Sequence, residues 1–173
     1  MPSTLKYAIT YPAGNVAPNV PLAMQSTAES TESAIKGVET KNRHAEYTTA
    51  AVAATANSAR AVGAVTVDAA KTFNNTFATP GTAAGDIKIL EAGTYSIDFV
   101  LLPTTSPGST GLQIVGSSAS RVTQAFNNSY LSWETTAVAS NVYLAANEVL
   151  TFTAMLSTSQ NIGARIRITK LHG

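Results

Sequence analysis

The chain has 173 residues, enough for one medium domain and an extension, and its net charge is only +1, with 12% charged residues. The Lys and Arg residues are scattered instead of gathered on one basic face, which argues against a nucleic-acid partner. Cysteine is absent, so disulfides and thiolate metal sites are excluded. No apolar run reaches the ~18 residues that a membrane-spanning helix needs.

Residues 1–21 read as an extended, proline-rich arm. Pro2, Pro12, Pro18 and Pro21 fix φ, remove backbone donors and push their predecessors toward extended geometry. Gly14-Asn15 marks a turn. Leu5, Tyr7, Ile9 and Tyr11 alternate with small or polar residues, as a strand added to another subunit's sheet would. The arm is expected to order on a partner, gripped through Tyr11, Pro12, Pro18, Val20 and Pro21; the alternative is a frayed terminus. The first residues, MPSTLKYAITYPAGN, lack an apolar core of signal-peptide length, so a soluble protein made in a cytoplasm is expected.

Residues 22–60 read as a helical stalk or oligomerisation segment. Pro21 suits the start of a helix, and Glu32 and Lys36 form a favourable pair one turn apart. A heptad register passes through Ala28, Ile35, Asn42, Thr49 and Ala56 at one seam position. Met24, Thr31, Val38, Ala45, Val52 and Ala59 take the other. Met24, Ala28, Ile35, Val38 and Val52 are expected to carry the packing. The seam is poor in large apolar groups, and Gly37 costs about 1 kcal/mol relative to Ala, so the helix should loosen between Gly37 and His44. Either copies of the helix pack together, or it lies flat on the chain's own β-domain.

From residue 61 onward the pattern is that of a β-sandwich head. Strand-like runs include AVGAVTV (61–67), TFNNTFA (72–78), DIKILEA (86–92), TYSIDFVLL (94–102), GLQIVGS (111–117), EVLTFTAML (148–156) and ARIRITKL (164–171). Turn signals such as Pro80-Gly81 and Ser106-Pro107-Gly108 separate them. Alternation places Tyr95, Ile97, Phe99 and Leu101 on one face, with Asp98 facing solvent. Phe152 and Ile168 are expected inward with Phe99.

Chemistry-bearing groups do not converge. His44 and His172 have no ligand at metal-binding spacing. Asp68, Asp86 and Asp98 lie in separate elements, and no Gly-x-Ser-x-Gly elbow is present. Asn74-Asn75-Thr76 and Asn127-Asn128-Ser129 match glycosylation sequons but read as turns. Tyr130 and Trp133 would either stack on a sugar ring or join the core. No catalytic residue, metal or cofactor is expected, and no enzymatic activity.

Two segments resemble known families. The strand entry Ala92-Gly93-Thr94-Tyr95, the segment holding Leu144, Glu148, Val149 and Phe152, and the terminal Ile166, Ile168 and Leu171 resemble the C1q/TNF superfamily. This likeness covers 82–171. It implies a jelly-roll head in which the Gly-Tyr strand and the last strand lie around a trimer axis, hence a homotrimer. Asn147-Glu148 stands where that family has Gly-Asp, and no acidic loop cluster is present, so an inherited ion site is not implied. Residues 11–35 resemble the N-terminal segment of bacteriophage tail and fibre proteins, with Tyr11-Pro12, Ala17-Pro18-Asn19-Val20-Pro21, Gln25, Ala28 and Glu29 carrying the likeness.

The resulting expectation is a mainly β protein: a jelly-roll β-sandwich head (61–173) preceded by an extended arm (1–21) and an α-helical stalk (22–60). The two resemblances imply a structural protein of a phage virion, made in the host bacterial cytoplasm. It would be a trimeric tail appendage, a short fibre or tip, held by other virion proteins through its arm. Three Ser/Thr/Gly/Asn-rich loops, 104–110, 117–120 and 157–163, are candidates for host attachment through a surface glycan or protein. Ser106, Ser109, Ser118, Gln160 and Asn161 would make the contacts. A capsid decoration or head-fibre protein is the alternative within that class. A carbohydrate-binding module, or a depolymerase with carboxylates clustered in a groove, are alternatives from other classes. Neither nucleic acid nor membrane insertion enters any of these readings.

Overall fold

The computed structural model describes residues 26–35, 43–118, 121–127 and 135–172. The chain divides into two units, Met1–Asn42 and Arg43–Gly173. In the first, the described stretch is one helix, α1, over residues 26–35. Thr31 Oγ1 donates to the Thr27 carbonyl one turn back at 2.8 Å. Ala28 and Glu32 are buried, whereas Ile35 is exposed.

The second unit is a jelly-roll β-sandwich of two antiparallel sheets. In chain order its strands are β1 (Arg43–Thr49), β2 (Val52–Ala54), β3 (Arg60–Ala61), β4 (Val65–Val67), β5 (Ala78–Pro80) and β6 (Asp86–Ile89). There follow β7 (Gly93–Pro103), β8 (Thr110–Gly116), β9 (Arg121–Asn127), β10 (Thr135–Leu144), β11 (Val149–Leu156) and β12 (Gln160–His172). Sheet I has the order β10-β7-β12-β1-β4, with β2 beside β12; sheet II has the order β5-β6-β11-β8-β9, with β3 beside β11.

Period-two alternation builds the core. Tyr95, Ile97, Phe99 and Leu101 of β7 and Ile166 and Ile168 of β12 face Leu112 and Ile114 of β8 and Leu150 and Phe152 of β11, all fully buried. Phe99 and Phe152 meet edge to face across the sheets, with centroids 5.3 Å apart and planes at 79°. The inward placement expected for Phe99, Phe152 and Ile168 is met.

The stalk over 22–60 is corrected. Residues 43–49, 52–54 and 60–61 are strands, and the head begins at Arg43 instead of Ala61. The heptad stripe in this region is made of small residues, which bury too little for a coiled coil. The same residues carry a strand pattern: Ala45 and Tyr47 are fully buried on the inner face, and Thr48, Thr49 and Val52 are β-branched. Pairing with β12, from Arg43 opposite Lys170 to Thr48 opposite Arg165, decides between the two periods. Val52, expected in the helix seam, instead sits in β2 opposite Ile162. Met24 and Val38 lie outside the described residues, as does the arm with Tyr11, Pro12, Pro18, Val20 and Pro21.

Two expected strands also change. AVGAVTV splits: β3 joins sheet II, and β4 joins sheet I. The chain crosses over at Gly63, where an added Cβ would collide with the Ala50 carbonyl. In TFNNTFA only Ala78 becomes strand. Asn74 takes a positive φ of 50°, and Asn75 accepts from the Ala78 amide at 3.1 Å and donates to the Tyr47 hydroxyl at 3.2 Å. Tyr130 and Trp133 lie outside the described residues.

Candidate functional site: two ends and one face of the head

The register gives the head two distinct ends. At one, called proximal here, β1 starts beside Lys170 and β7 starts beside His172. At the other, distal end, Pro103 lies opposite Ile162 and Thr110 opposite Leu156. The first strand of the head, β1, therefore begins at the proximal end.

The proximal end is fastened by charge. Glu91, in the turn between β6 and β7, accepts from Arg43 Nη1 at 2.8 Å, Arg43 Nη2 at 2.7 Å, Lys170 Nζ at 2.8 Å and Thr76 Oγ1 at 2.6 Å. Arg43 also bonds Thr76 and lies over the Phe77 ring, 5.3 Å from its centroid. The Tyr95 hydroxyl donates to the Glu91 carbonyl. The Arg43 fork, followed by Lys170 and Thr76, holds the Glu91 carboxyl well below the usual carboxylate range. The same pairing raises the Arg43 guanidinium above its ordinary value. Burial, then the Glu91 charge, pushes the Tyr95 hydroxyl up to about 12. Gly93 has no room for a side chain, because a Cβ would meet the His172 carbonyl and the Lys170 stem. The cluster thus binds the first strand, the last strand and the turn between β6 and β7 at the point where the chain enters the head.

The distal end is fastened without charge. Thr104 Oγ1 donates to the Asn161 carbonyl at 3.1 Å, and the Thr105 amide donates to Gln160 Oε1 at 2.9 Å. Gln160 Nε2 donates to Thr158 Oγ1 at 3.2 Å, which in turn donates to the Ser106 carbonyl at 3.3 Å. Ser109 and Ser157 exchange backbone and side-chain bonds at 2.9 and 3.0 Å. Gly108 makes this close approach possible: its φ is +64°, and a Cβ there would strike Ser157 Oγ. The 55–59 segment joins through the Asn57 amide to the Leu156 carbonyl and the Ala56 amide to Ser159 Oγ.

Two of the three expected attachment loops therefore come together, bringing Ser106, Ser109, Gln160 and Asn161 to one end. The third does not. Ser118 follows β8 at the proximal end, where its hydroxyl donates to Glu148 Oε1 at 2.6 Å. The proximal ion cluster was missed from sequence, because Glu91 and its partners lie 48 and 79 residues apart in the chain.

The outer face of sheet I carries a charged row. Val138, Asp98, Arg167 and Glu46 stand side by side on β10, β7, β12 and β1; the next row is Thr136, Val100, Arg165 and Thr48. Glu46, only 2% exposed, takes Arg167 Nη2 at 3.0 Å and Lys71 Nζ at 3.5 Å. Asp98, Val100, Thr136, Arg165 and Arg167 line a shallow hollow of about 210 Å³.

Among the described residues, no group of three or more His, Asp or Glu could hold a metal ion, and no helix is long and apolar enough to cross a membrane. His44 stacks on Phe73, and His172 is exposed.

No protein-family model matches the chain, and no curated protein matches its sequence. Among solved structures it is similar to Eiger, a TNF from S. frugiperda, with a TM-score of 0.56 and 12% identity over 76% of this chain and 93% of that one. Murine APRIL gives a TM-score of 0.53 and 8% identity over 75% of this chain and 100% of that one. The globular domain of zebrafish complement 1qA protein gives 0.47 and 14% identity over 73% and 94%. At these identities the likeness to Eiger and APRIL shows the fold, a TNF-like jelly roll.

Proposed function

We propose that this chain is a structural display protein of a phage virion, a homotrimeric tail appendage held by its N-terminal segment and presenting the head. The polarity of the head carries this reading. The first residue of the head, Arg43, lies at the proximal end, bonded to Glu91. The Ser/Thr/Gln/Asn-rich loops 104–109 and 157–161 close the opposite end. The start of the head and these loops thus lie at opposite ends of the strands. A neutral, hydrogen-bonding tip suits a glycan or protein surface without demanding charge, and three copies on one trimer would add avidity. The virion setting rests on the phage-like residues 11–35, and the trimer on the C1q/TNF-like residues of the head.

Negative-stain images of phage particles labelled with an antibody to the head test the setting. Label at the tail tip or fibre is the expected result. Label over the capsid makes the protein a decoration or head fibre, and unlabelled particles overturn the virion reading.

A further inference from the structure

Beside the distal stitch the head has a hollow of about 150 Å³, lined by Asn57, Ser109 and Thr110 and by the pair Gly111 and Met155, with no charged side chain in its wall. One water molecule needs only ~10–15 Å³ of such space, so the hollow is large enough for a small organic group. Gly111 of β8 and Met155 of β11 stand opposite each other. Met155 is 40% exposed between the buried Ala154 and Leu156, which puts the pair on the outer face of sheet II. A glycine within a strand weakens it, but here it adds no side chain to fill the space beside the Met155 thioether. On the rim, the Asn57 backbone amide donates to the Leu156 carbonyl, and Asn57 takes a positive φ of 57°. The Asn57 side-chain amide and the Ser109 hydroxyl make no hydrogen bond with any described residue, whereas the Ser157 hydroxyl next to them accepts from the Ser109 amide and donates to the Pro107 carbonyl. Thr110 is 2% exposed, and its hydroxyl is the one buried side-chain polar atom among the described residues without a hydrogen-bond partner. Such groups are rare in folded chains.

We propose that this hollow takes the acetamido group of an N-acetylated sugar, with the methyl against Met155 and Gly111 and the amide at Asn57. The inference rests on the reading of the head as a display module and names what its distal end would hold. The lining decides the chemistry. Without a counter-charge in the wall, a phosphate, carboxylate or ammonium group would lose its hydration for nothing. The group that fits is short and uncharged, with a methyl at one end and both a donor and an acceptor at the other. An acetamide is such a group. A side-chain amide carries both N–H donors and a carbonyl acceptor, so Asn57 can pair with it reciprocally, and the Ser109 hydroxyl can bond the amide or a neighbouring sugar hydroxyl. A parent hexose, with a hydroxyl in place of the acetamide, leaves the apolar wall uncovered. A single site of this size binds weakly, and several heads on one particle add avidity.

The test uses the full chain and the methyl glycosides of N-acetylglucosamine and N-acetylgalactosamine, against those of glucose and galactose. Saturation-transfer NMR and titration read the binding, and circular dichroism checks that each head is folded. The N-acetylated sugars should bind in the millimolar range, with the acetyl methyl the most strongly saturated, and the parent hexoses at least tenfold more weakly. Asn57→Gly keeps the positive φ and removes only the side-chain amide; Gly111→Val fills the hollow. Each should weaken binding by tenfold or more. If Gly111→Val fails to fold, Asn57→Gly decides alone. Hexoses bound as tightly as their N-acetylated forms, an Asn57→Gly chain that binds like the natural one, or no binding at all overturns this site. Host cells that capture the natural chain and Asn57→Gly equally well overturn the hollow and leave the display reading standing. Sugar binding by a chain that the antibody does not find on phage particles overturns the virion reading and leaves the hollow standing.

Discussion

The two ends of the head solve one problem in opposite ways. Each must fasten connections that run between the sheets. The proximal end does so with a carboxylate gripped by an Arg fork and a Lys that is only 7% exposed. The distal end uses hydroxyls, amides and backbone carbonyls, with no titratable group in the network of 104–109 and 157–161. A charged lock is rigid and specific, but it depends on pH and on every partner being present. A neutral stitch loses less for each bond broken. The lock sits where β1 begins, and the stitch joins the loops at the opposite end.

The core sets the scale against which either end is judged. Phe152→Ala should destabilise the head by ~3–5 kcal/mol in denaturant unfolding, because it removes the ring packed on Phe99. A loss below about 1 kcal/mol would mean that the sheets do not meet there. Glu91→Ala should come next, at roughly 2–3 kcal/mol, because it leaves Lys170 buried without its counter-ion; the partial exposure of Glu91 keeps the figure below that of a fully buried pair. Gly108→Ala should cost about 1–2 kcal/mol, because it puts a Cβ at positive φ and against Ser157. Ser118→Ala, at an exposed proximal turn, should change stability by less than about 0.5 kcal/mol.

Acid should separate the ends further. The Glu91 carboxyl is held below its ordinary value of 4.5 in the folded head. The unfolded chain therefore binds the proton first, and the proximal lock's contribution is complete above about pH 4.5 and is lost progressively as pH falls below it. Thermal melts of Glu91→Gln should show a smaller acid loss than the natural chain. The increment from Gly108→Ala should stay the same across that range, because no group in the distal stitch titrates.

The sequence made some of this visible and hid the rest for identifiable reasons. The phase of β7, β11 and β12 could be read because Tyr95, Ile97, Phe99 and Leu101, and likewise Ile166 and Ile168, alternate within a single strand. β1 could not, because RHAEYTT fits both a small-residue helical stripe and a strand, and the choice depends on β12 more than a hundred residues away. Glu91 gave no local sign, because its charged partners Arg43 and Lys170 lie 48 and 79 residues away. The error at Ser118 had a usable signal. Loops 104–109 and 117–120 flank one strand, β8, and the two connections of one strand lie at opposite ends of a sheet.

Because the chain has no cysteine, single thiols can be placed at either end and labelled without background. Ser106→Cys and Ser118→Cys both put the thiol at an exposed position, one distal and one proximal. The measurement that tests display most directly is the rate of maleimide labelling of each, on the free protein and on assembled particles. The account predicts that assembly leaves Ser106→Cys as reactive as in the free protein and slows Ser118→Cys several-fold. Equal rates for Ser118→Cys in both settings, or protection of Ser106→Cys instead, would contradict attachment at the proximal end and display at the distal one.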